Sequence, residues 1–139
     1  MIDELIARYG LEPHPEGGFY RRVFEHPTRR DGRALASAIV YLLPEGVRSR
    51  WHRIDAVELW HAGSGASLEL SIVEADTVAR TEHVGTGPSD VPLAVVPAGA
   101  WQSARALGPW SLVTVTVVPA FTWEGFELGP EGWEPVPPE

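Results

Sequence analysis

Apolar residues along this chain fall into short runs, and several of them alternate with polar residues at the period of two that is typical of a half-buried strand. These runs predict strands at 19–26, 34–44, 48–53, 57–64, 67–75, 79–85, 93–99, 101–107 and 111–119. Turn-forming sequences separate them, such as GSG at 63–65 and GTGPSD at 85–90. One segment, 1–10, instead shows helical spacing and ends on Gly10.

This pattern predicts an all-β sandwich or barrel with one short N-terminal helix. The 139 residues suffice for one core, and no repeat or linker divides them. We therefore expect a single domain, 1–139, with a helix over 1–10, a barrel over 11–128 and an acidic, proline-rich tail over 129–139. A small barrel of this kind is suited to holding a small-molecule ligand.

Composition removes several functional classes. The net charge of −8 argues against a nucleic-acid partner, because phosphates would be repelled. The absence of cysteine excludes disulfides, thiol nucleophiles and cysteine-ligated metals. All eleven basic residues are arginine, so Schiff-base chemistry on lysine is excluded as well. The acidic start and the lack of a long apolar run predict a soluble, cytoplasmic protein without a membrane partner.

Three side chains form the strongest candidate for chemistry. His52 and Glu58 are separated by a short segment that fits a tight strand–turn–strand, which would turn both toward one cavity. Gln102, the only glutamine, follows a Pro-x-Gly turn. Imidazole, carboxylate and amide oxygen can all ligate a divalent first-row metal, although the amide is weak. Two interpretations stay open: a metal site with water completing the shell, or a metal-free pocket whose polar groups bond one another.

The spacing of these residues resembles that of the cupin superfamily. The first cupin motif, G-x5-H-x-H-x3-4-E-x6-G, falls on Gly46, His52, Ile54, Glu58 and Gly65. The second, P-x-G-x-x-H, falls on Pro97, Gly99 and Gln102. Two of the four usual metal ligands are therefore retained, one is replaced by the amide of Gln102, and one is replaced by Ile54.

The likeness extends over nearly the whole chain. LIARYGLEPHPEGGFYRRVF, WHRIDAVELWH, VVPAGAWQSARAL and VTVVPAFTWEGFEL together resemble a branch of small, single-domain cupins, the family numbered fifth among the cupins. The resemblance implies a double-stranded β-helix, the cupin jelly roll, and a homodimer. It also implies a distant similarity in shape to dTDP-sugar epimerases.

If the pocket holds no metal, His52 is the candidate catalytic base, since its ordinary pKa lies near neutrality. The epimerases that the resemblance points to pair a histidine base with an acidic orienter and a tyrosine acid. Glu58 or Asp55 would be the orienter here, and Tyr41 or Tyr20 the acid.

Further residues are expected to bind the ligand. Alternation along the strand puts Arg48 and Arg50 on the side of His52, where they favour an anionic ligand, unless they lie solvated at the rim. Trp60 shares the face of Glu58 and is expected to form an apolar wall. The glycine-rich segment PHPEGGFY, 13–20, either covers the pocket mouth or forms a structural turn. Together with Gln102, the predicted ligand-binding residues are Glu16, Tyr20, Arg50 and Trp60.

The favoured function is an isomerase or epimerase acting on a sugar-like or anionic metabolite. A non-catalytic ligand-binding or sensing module is the alternative. A metal-dependent oxygenase or decarboxylase ranks lower, because the replaced histidine would weaken an iron site most.

Overall fold

The computed structural model describes residues 1–74 and 79–135, and this part of the chain is folded mainly into β-strands. Its elements are α1 (Ile2–Tyr9), β1 (Glu12–Pro13), β2 (Phe19–Glu25), β3 (Arg29–Arg30), β4 (Arg33–Ala34), β5 (Ser37–Pro44), β6 (His52–Ile54), β7 (Val57–Gly65), β8 (Leu68–Val73), β9 (Arg80–Val84), β10 (Leu93–Val96), β11 (Trp101–Ala106), β12 (Trp110–Val118) and β13 (Phe126–Leu128). Ala75 of the predicted strand 67–75, and residues 136–139 of the predicted tail, lie outside the described residues.

Two antiparallel sheets face each other and build the jelly roll predicted from the sequence. The larger sheet has the order β1-β2-β5-β12-β7-β10, and the smaller has the order β13-β6-β11-β8-β9. β3 and β4 form a separate small hairpin. Alternation along the long central strands turns one set of side chains into the barrel, as Val113, Val115 and Val117 of β12 show.

The main core fills one part of the space between the sheets. Its buried side chains include Leu43 from the larger sheet and Leu68, Leu70 and Ile72 from the smaller one. The helix packs on the outside, where Leu5 joins a second cluster with Leu11, Leu42 and Leu112. Gly10 ends the helix with a positive φ of 64°. No helix in the described ranges is long and apolar enough to cross a membrane.

The strand predicted at 48–53 is wrong over most of its length. Regular pairing covers β6 only, and Arg48 makes an isolated bridge to Arg105. The reason is local: the backbone N–H of Arg50 donates to the carbonyl oxygen of Glu16 at 2.7 Å, outside any strand ladder. Alternating sides therefore cannot be counted backward from His52 to the two arginines.

The chain from residue 126 onward lies along the smaller sheet. β13 pairs with β6 through the register Phe126↔Ile54 to Leu128↔His52. The N–H of Gly129 donates to the carbonyl oxygen of Trp51 at 2.8 Å. Trp133 then packs edge-on against Trp101 with ring centroids 4.7 Å apart. The described part of the predicted tail thus contacts the barrel wall through Gly129 and Trp133.

Candidate functional site

A cavity of about 340 Å³ opens between the two sheets. Its inner end carries the polar side chains of Glu16, Tyr41, His52 and Glu58. One wall is aliphatic and comes from Ile39, Val115 and Val117 of β5 and β12. The opposite side is aromatic and comes mainly from the segment between β12 and β13, with Phe121, Trp123 and Phe126. The volume lies at the small end of the range for metabolite sites.

A buried ion pair dominates the inner end. The Nε2 atom of His52 lies 2.9 Å from Oε2 of Glu16, and both side chains are almost fully shielded from solvent. The other ring nitrogen of His52, Nδ1, bonds the carbonyl oxygen of Arg50 at 2.8 Å. Both nitrogens of the imidazole are therefore engaged, and its orientation is fixed from two sides.

Glu16 reaches this position because the turn between β1 and β2 folds inward. The N–H of Gly17 donates to the carbonyl oxygen of His14 at 2.9 Å, and the N–H of Glu16 donates to Nδ1 of His14 at 3.1 Å. Gly18 has a φ of 77°, and a Cβ there would lie 2.7 Å from the carbonyl oxygen of Leu42. Only glycine fits so close to β5, so the turn requires glycine at position 18.

Tyr41 of β5 holds the β1–β2 turn in place by a hydrogen bond. Its hydroxyl donates to the carbonyl oxygen of Gly17 at 2.6 Å. Burial, and secondly the charge of Glu16, hold the pKa of Tyr41 well above its usual value. Tyr41 is thus a neutral hydrogen-bond donor at neutral pH.

The ion pair shifts the acidity of both its members. Burial disfavours the imidazolium, but the charge and hydrogen bond of Glu16 outweigh it and raise the pKa of His52 to about 9. Burial likewise opposes ionisation of Glu16, yet the charge and hydrogen bond of His52 lower the pKa of that carboxyl. At neutral pH the site therefore holds an imidazolium beside a carboxylate.

Glu58 differs from Glu16 in its surroundings. Its Oε2 accepts a hydrogen bond from the indole N–H of Trp60 at 3.0 Å, and the same N–H lies 3.2 Å from Oε1 of Gln102. All three side chains are buried. Burial, and secondarily the charge of Glu16, raise the pKa of Glu58, although the imidazolium of His52 opposes them. The two carboxyls thus shift in opposite directions.

Most of the predicted site residues meet at the cavity, but four do not. Tyr20, Tyr41, His52, Glu58, Trp60 and Glu16 line it. Gln102 lies behind Trp60 and is fully buried. Arg50 donates from Nη2 to the carbonyl oxygen of Gly129 at 2.6 Å, and the partly exposed Arg48 lies 3.7 Å from Glu69. Neither arginine lines the cavity, because the backbone before β6 departs from a regular strand.

Asp55, the alternative orienter, lies outside the cavity. Its carboxylate accepts two hydrogen bonds from Arg33, at 2.8 and 3.1 Å, on the surface. Glu16 occupies the orienting position beside His52 instead. Sequence spacing did not reveal this contact, because the two residues belong to distant segments. The glycines after Glu16 were the available signal, since they marked a tight turn.

The residues present do not fit the metal site that the cupin motifs imply. The oxygens of Glu58 and Gln102 both face the N–H of Trp60, a hydrogen-bond donor, where a shared cation would be needed. Ile54, at the position of the second histidine, belongs to the apolar core. Across residues 1–74 and 79–135, no group of three His, Cys, Asp or Glu side chains is placed to hold a metal.

A barrel of two facing antiparallel sheets with a cavity between them is the cupin architecture. The chain belongs to the cupin superfamily, in the family described as DUF985, whose model matches residues 3–129. No curated protein sequence matches the chain.

Solved structures agree with this assignment. A protein from Shewanella oneidensis is 34% identical, with a TM-score of 0.87 over 91% of this chain and 83% of its own. A hypothetical protein from Leishmania major is 27% identical, with a TM-score of 0.83 over 90% of this chain and 85% of its own.

More distant structures share the fold alone. Oxalate decarboxylase from Bacillus subtilis is 18% identical, with a TM-score of 0.65 over 84% of this chain and 29% of its own. The capsular polysaccharide assembling protein CapF from Staphylococcus aureus is 14% identical, with a TM-score of 0.65 over 85% of this chain and 33% of its own.

Proposed function

We propose that this cupin binds a small metabolite in its cavity and moves a proton on it, as an isomerase or epimerase. The observation that carries the proposal is the buried Glu16–His52 pair at 2.9 Å, whose members face the same cavity as Glu58. Burying two charges is expensive, so a pair that lines a ligand-sized cavity is a candidate for function. Two carboxyls with opposite pKa shifts are the arrangement that separates a base from an acid.

The roles follow from the geometry. The ionised pair accepts a proton at Glu16 from a carbon next to a substrate carbonyl, because the ring nitrogens of His52 are already engaged. The electrons of the broken C–H bond move into the carbonyl, and its oxygen takes a proton from Glu58, whose protonated form is favoured by burial, which raises the pKa of that carboxyl. Glu16 then returns its proton to carbon, and the hydroxyl proton on the substrate oxygen goes back to Glu58 as the carbonyl re-forms, which restores both side chains. His52 holds Glu16 ionised and in place. In this proposal Glu16 is the base, whereas the sequence predicted His52 in that role.

A second candidate function is non-catalytic binding or sensing. The engagement of both His52 nitrogens favours it, because a fully bonded imidazole is not free to exchange a proton with a bound ligand. A metal-dependent oxygenase or decarboxylase ranks below both, since the donor groups around His52 do not fit a metal.

Solvent exchange separates these functions. The protein is incubated in deuterated water with a panel of small aldoses, ketoses and amino sugars, and loss of C–H signal is followed by proton NMR. We expect exchange with the parent protein and none with Glu16→Gln. Glu45→Gln, an exposed change of the same chemistry, should leave exchange intact. Binding without exchange would support the sensing alternative and contradict the isomerase.

We also propose that the protein is a homodimer, as the resemblance implies. Apolar side chains cover the outer face of the larger sheet, where Phe24, Leu93, Val95 and Val118 are each more than 40% exposed. Exposed apolar side chains on one sheet face suit an interface with a second copy. Sedimentation equilibrium tests this: Val95→Glu should be monomeric, whereas a monomeric parent would contradict the proposal. The cytoplasmic location predicted from the sequence stays a prediction.

A further inference from the structure

The charge of the cavity restricts its ligand. Among residues 1–74 and 79–135, four carboxyl side chains line it: Glu16 and Glu58 at the inner end, and the exposed Glu12 and Glu124 at the rim. Against them stand the imidazolium of His52 and the guanidinium of Arg22. Burial lowers the pKa of His14, which is therefore a neutral ring at neutral pH. The lining is thus negative on balance, within a chain that is itself acidic.

The cavity is poorly equipped for an anion. Arg22 is the only arginine among the described residues that line it, and its guanidinium is already engaged. One nitrogen donates to Oε2 of Glu25 at 3.2 Å, and another to the carbonyl oxygen of Phe121 at 3.4 Å. A phosphate or carboxylate would have to displace these bonds and would then lie among acidic groups.

Aromatic rings at the rim of the cavity are a second feature that would favour a cation. Tyr20, Trp123 and Phe126 line the cavity, and all three surround the neutral ring of His14, with centroid distances of 4.6, 6.1 and 6.3 Å. Trp123 is half exposed, so one part of this aromatic group faces the opening. Aromatic faces attract ammonium groups, most strongly where water is partly excluded.

We propose that the ligand is a small molecule carrying a positively charged nitrogen, which lies at the rim between the aromatic group and the carboxylates of Glu12 and Glu124. The uncharged body of the ligand extends inward between the aliphatic and aromatic walls to the Glu16–His52 pair. For a sugar-like substrate this means an amino sugar and excludes a sugar phosphate or a nucleotide sugar. This inference rests on the proposed function for the identity of the site, but it concerns binding and is tested without turnover.

Three sugars of equal size and different charge make the test. Glucosamine, glucose and glucuronate are titrated near neutral pH into 15N-labelled protein, and the indole N–H signals of its six tryptophans are followed by NMR. The signals of Trp60 and Trp123, which line the cavity, should shift. We expect glucosamine to bind about tenfold more tightly than glucose, and glucuronate most weakly.

A double variant shows whether the rim causes the selection. Glu12→Gln with Glu124→Gln should remove most of the preference for the amine. The matched control, Glu4→Gln with Glu131→Gln, changes the net charge equally at exposed positions away from the cavity and should keep it. Glucose or glucuronate binding as tightly as glucosamine, or no binding of glucosamine at the cavity, would overturn the inference. Proton exchange on an uncharged or anionic sugar would also overturn it while leaving the proposed acid–base function in place.

Discussion

The charge of Glu16 is what keeps His52 protonated inside the barrel, and replacing Glu16 by glutamine should reverse this. Glutamine has nearly the same size, so the substitution removes the negative charge without opening a large cavity. Burial then becomes the dominant influence on the imidazole. We expect the pKa of His52 to fall from about 9 to below its ordinary value of 6.5.

The same change sets the expected loss of stability. A rise in the pKa of His52 from 6.5 to about 9 corresponds to about 3 kcal/mol, at about 1.4 kcal/mol per pKa unit. Because the pKa is higher in the folded chain, this contribution is complete below pH 6.5 and is lost as the pH rises through about 9. For Glu16 the pKa is lowered, so its contribution is present above 4.5 and disappears in acid. The largest difference between parent and variant therefore lies between pH 4.5 and 6.5.

Two measurements check this. Histidine ring nitrogens are titrated by long-range proton–nitrogen NMR, and urea unfolding is measured for both proteins across the pH range. Glu25→Gln is the control, because Glu25 holds Arg22 and Arg29 in half-exposed pairs that should contribute less than about 1 kcal/mol. A parent His52 that titrates near 6.5, or a Glu16→Gln variant whose stability follows the parent at every pH, would refute the reasoning.

Three further predictions follow from other contacts of the site. Gly18→Ala should lower the free energy of unfolding by about 2–4 kcal/mol in thermal or urea unfolding, since the added Cβ would meet the carbonyl oxygen of Leu42. Gly46 has a similar φ of 78° but no neighbour within 4 Å, so Gly46→Ala should cost clearly less. Equal losses in the two variants would refute the steric explanation. Trp60→Phe should cost about 3 kcal/mol and raise the pKa of Glu58 further, measured by carboxyl 13C NMR, because that carboxylate loses its indole donor. Prolonged chelation should leave the unfolding midpoint unchanged, because no metal-holding cluster occurs in the described ranges. A drop in the midpoint would show that a bound metal stabilises the fold and would contradict this expectation.

Strand alternation was enough to predict an all-β sandwich or barrel, because the central strands are long and buried on one face, whereas the jelly roll itself was predicted from the cupin resemblance. β7 and β12 follow the predicted strands 57–64 and 111–119 within one residue at each end. Alternation also correctly placed Glu58 and Trp60 on one inward face. It failed before β6, where the N–H of Arg50 bonds Glu16 in the β1–β2 turn and regular strand pairing is interrupted, so the counting of sides lost its basis.

The partner of His52 could not be predicted in the same way. Glu16 lies in the turn between β1 and β2 of the larger sheet, whereas His52 lies in β6 of the smaller sheet. The alternation of polar and apolar residues along one strand contains no information on a contact between two sheets. The aromatic wall shows the same limit: Phe121, Trp123 and Phe126 share no regular strand, and they meet only because the chain bends between β12 and β13. Motif spacing located His52 and Glu58, but tertiary packing decided which chemistry they can perform.

Because of this packing, the residues at the two cupin motifs make contacts in this chain that differ from those of a metal site. The first motif still brings His52 and Glu58 to one cavity, although Ile54 supports the core and Gln102 bonds Trp60. The imidazole of His52 faces the carboxylate of Glu16 from the β1–β2 turn. Glu16 is negatively charged, whereas a metal ion bound to the imidazole would be positively charged. An imidazole beside a cation must be neutral to ligate it, whereas one beside Glu16 is stabilised in its protonated form. The acidic turn therefore supports the proposed proton transfer and the proposed preference for ligands that are not themselves anionic.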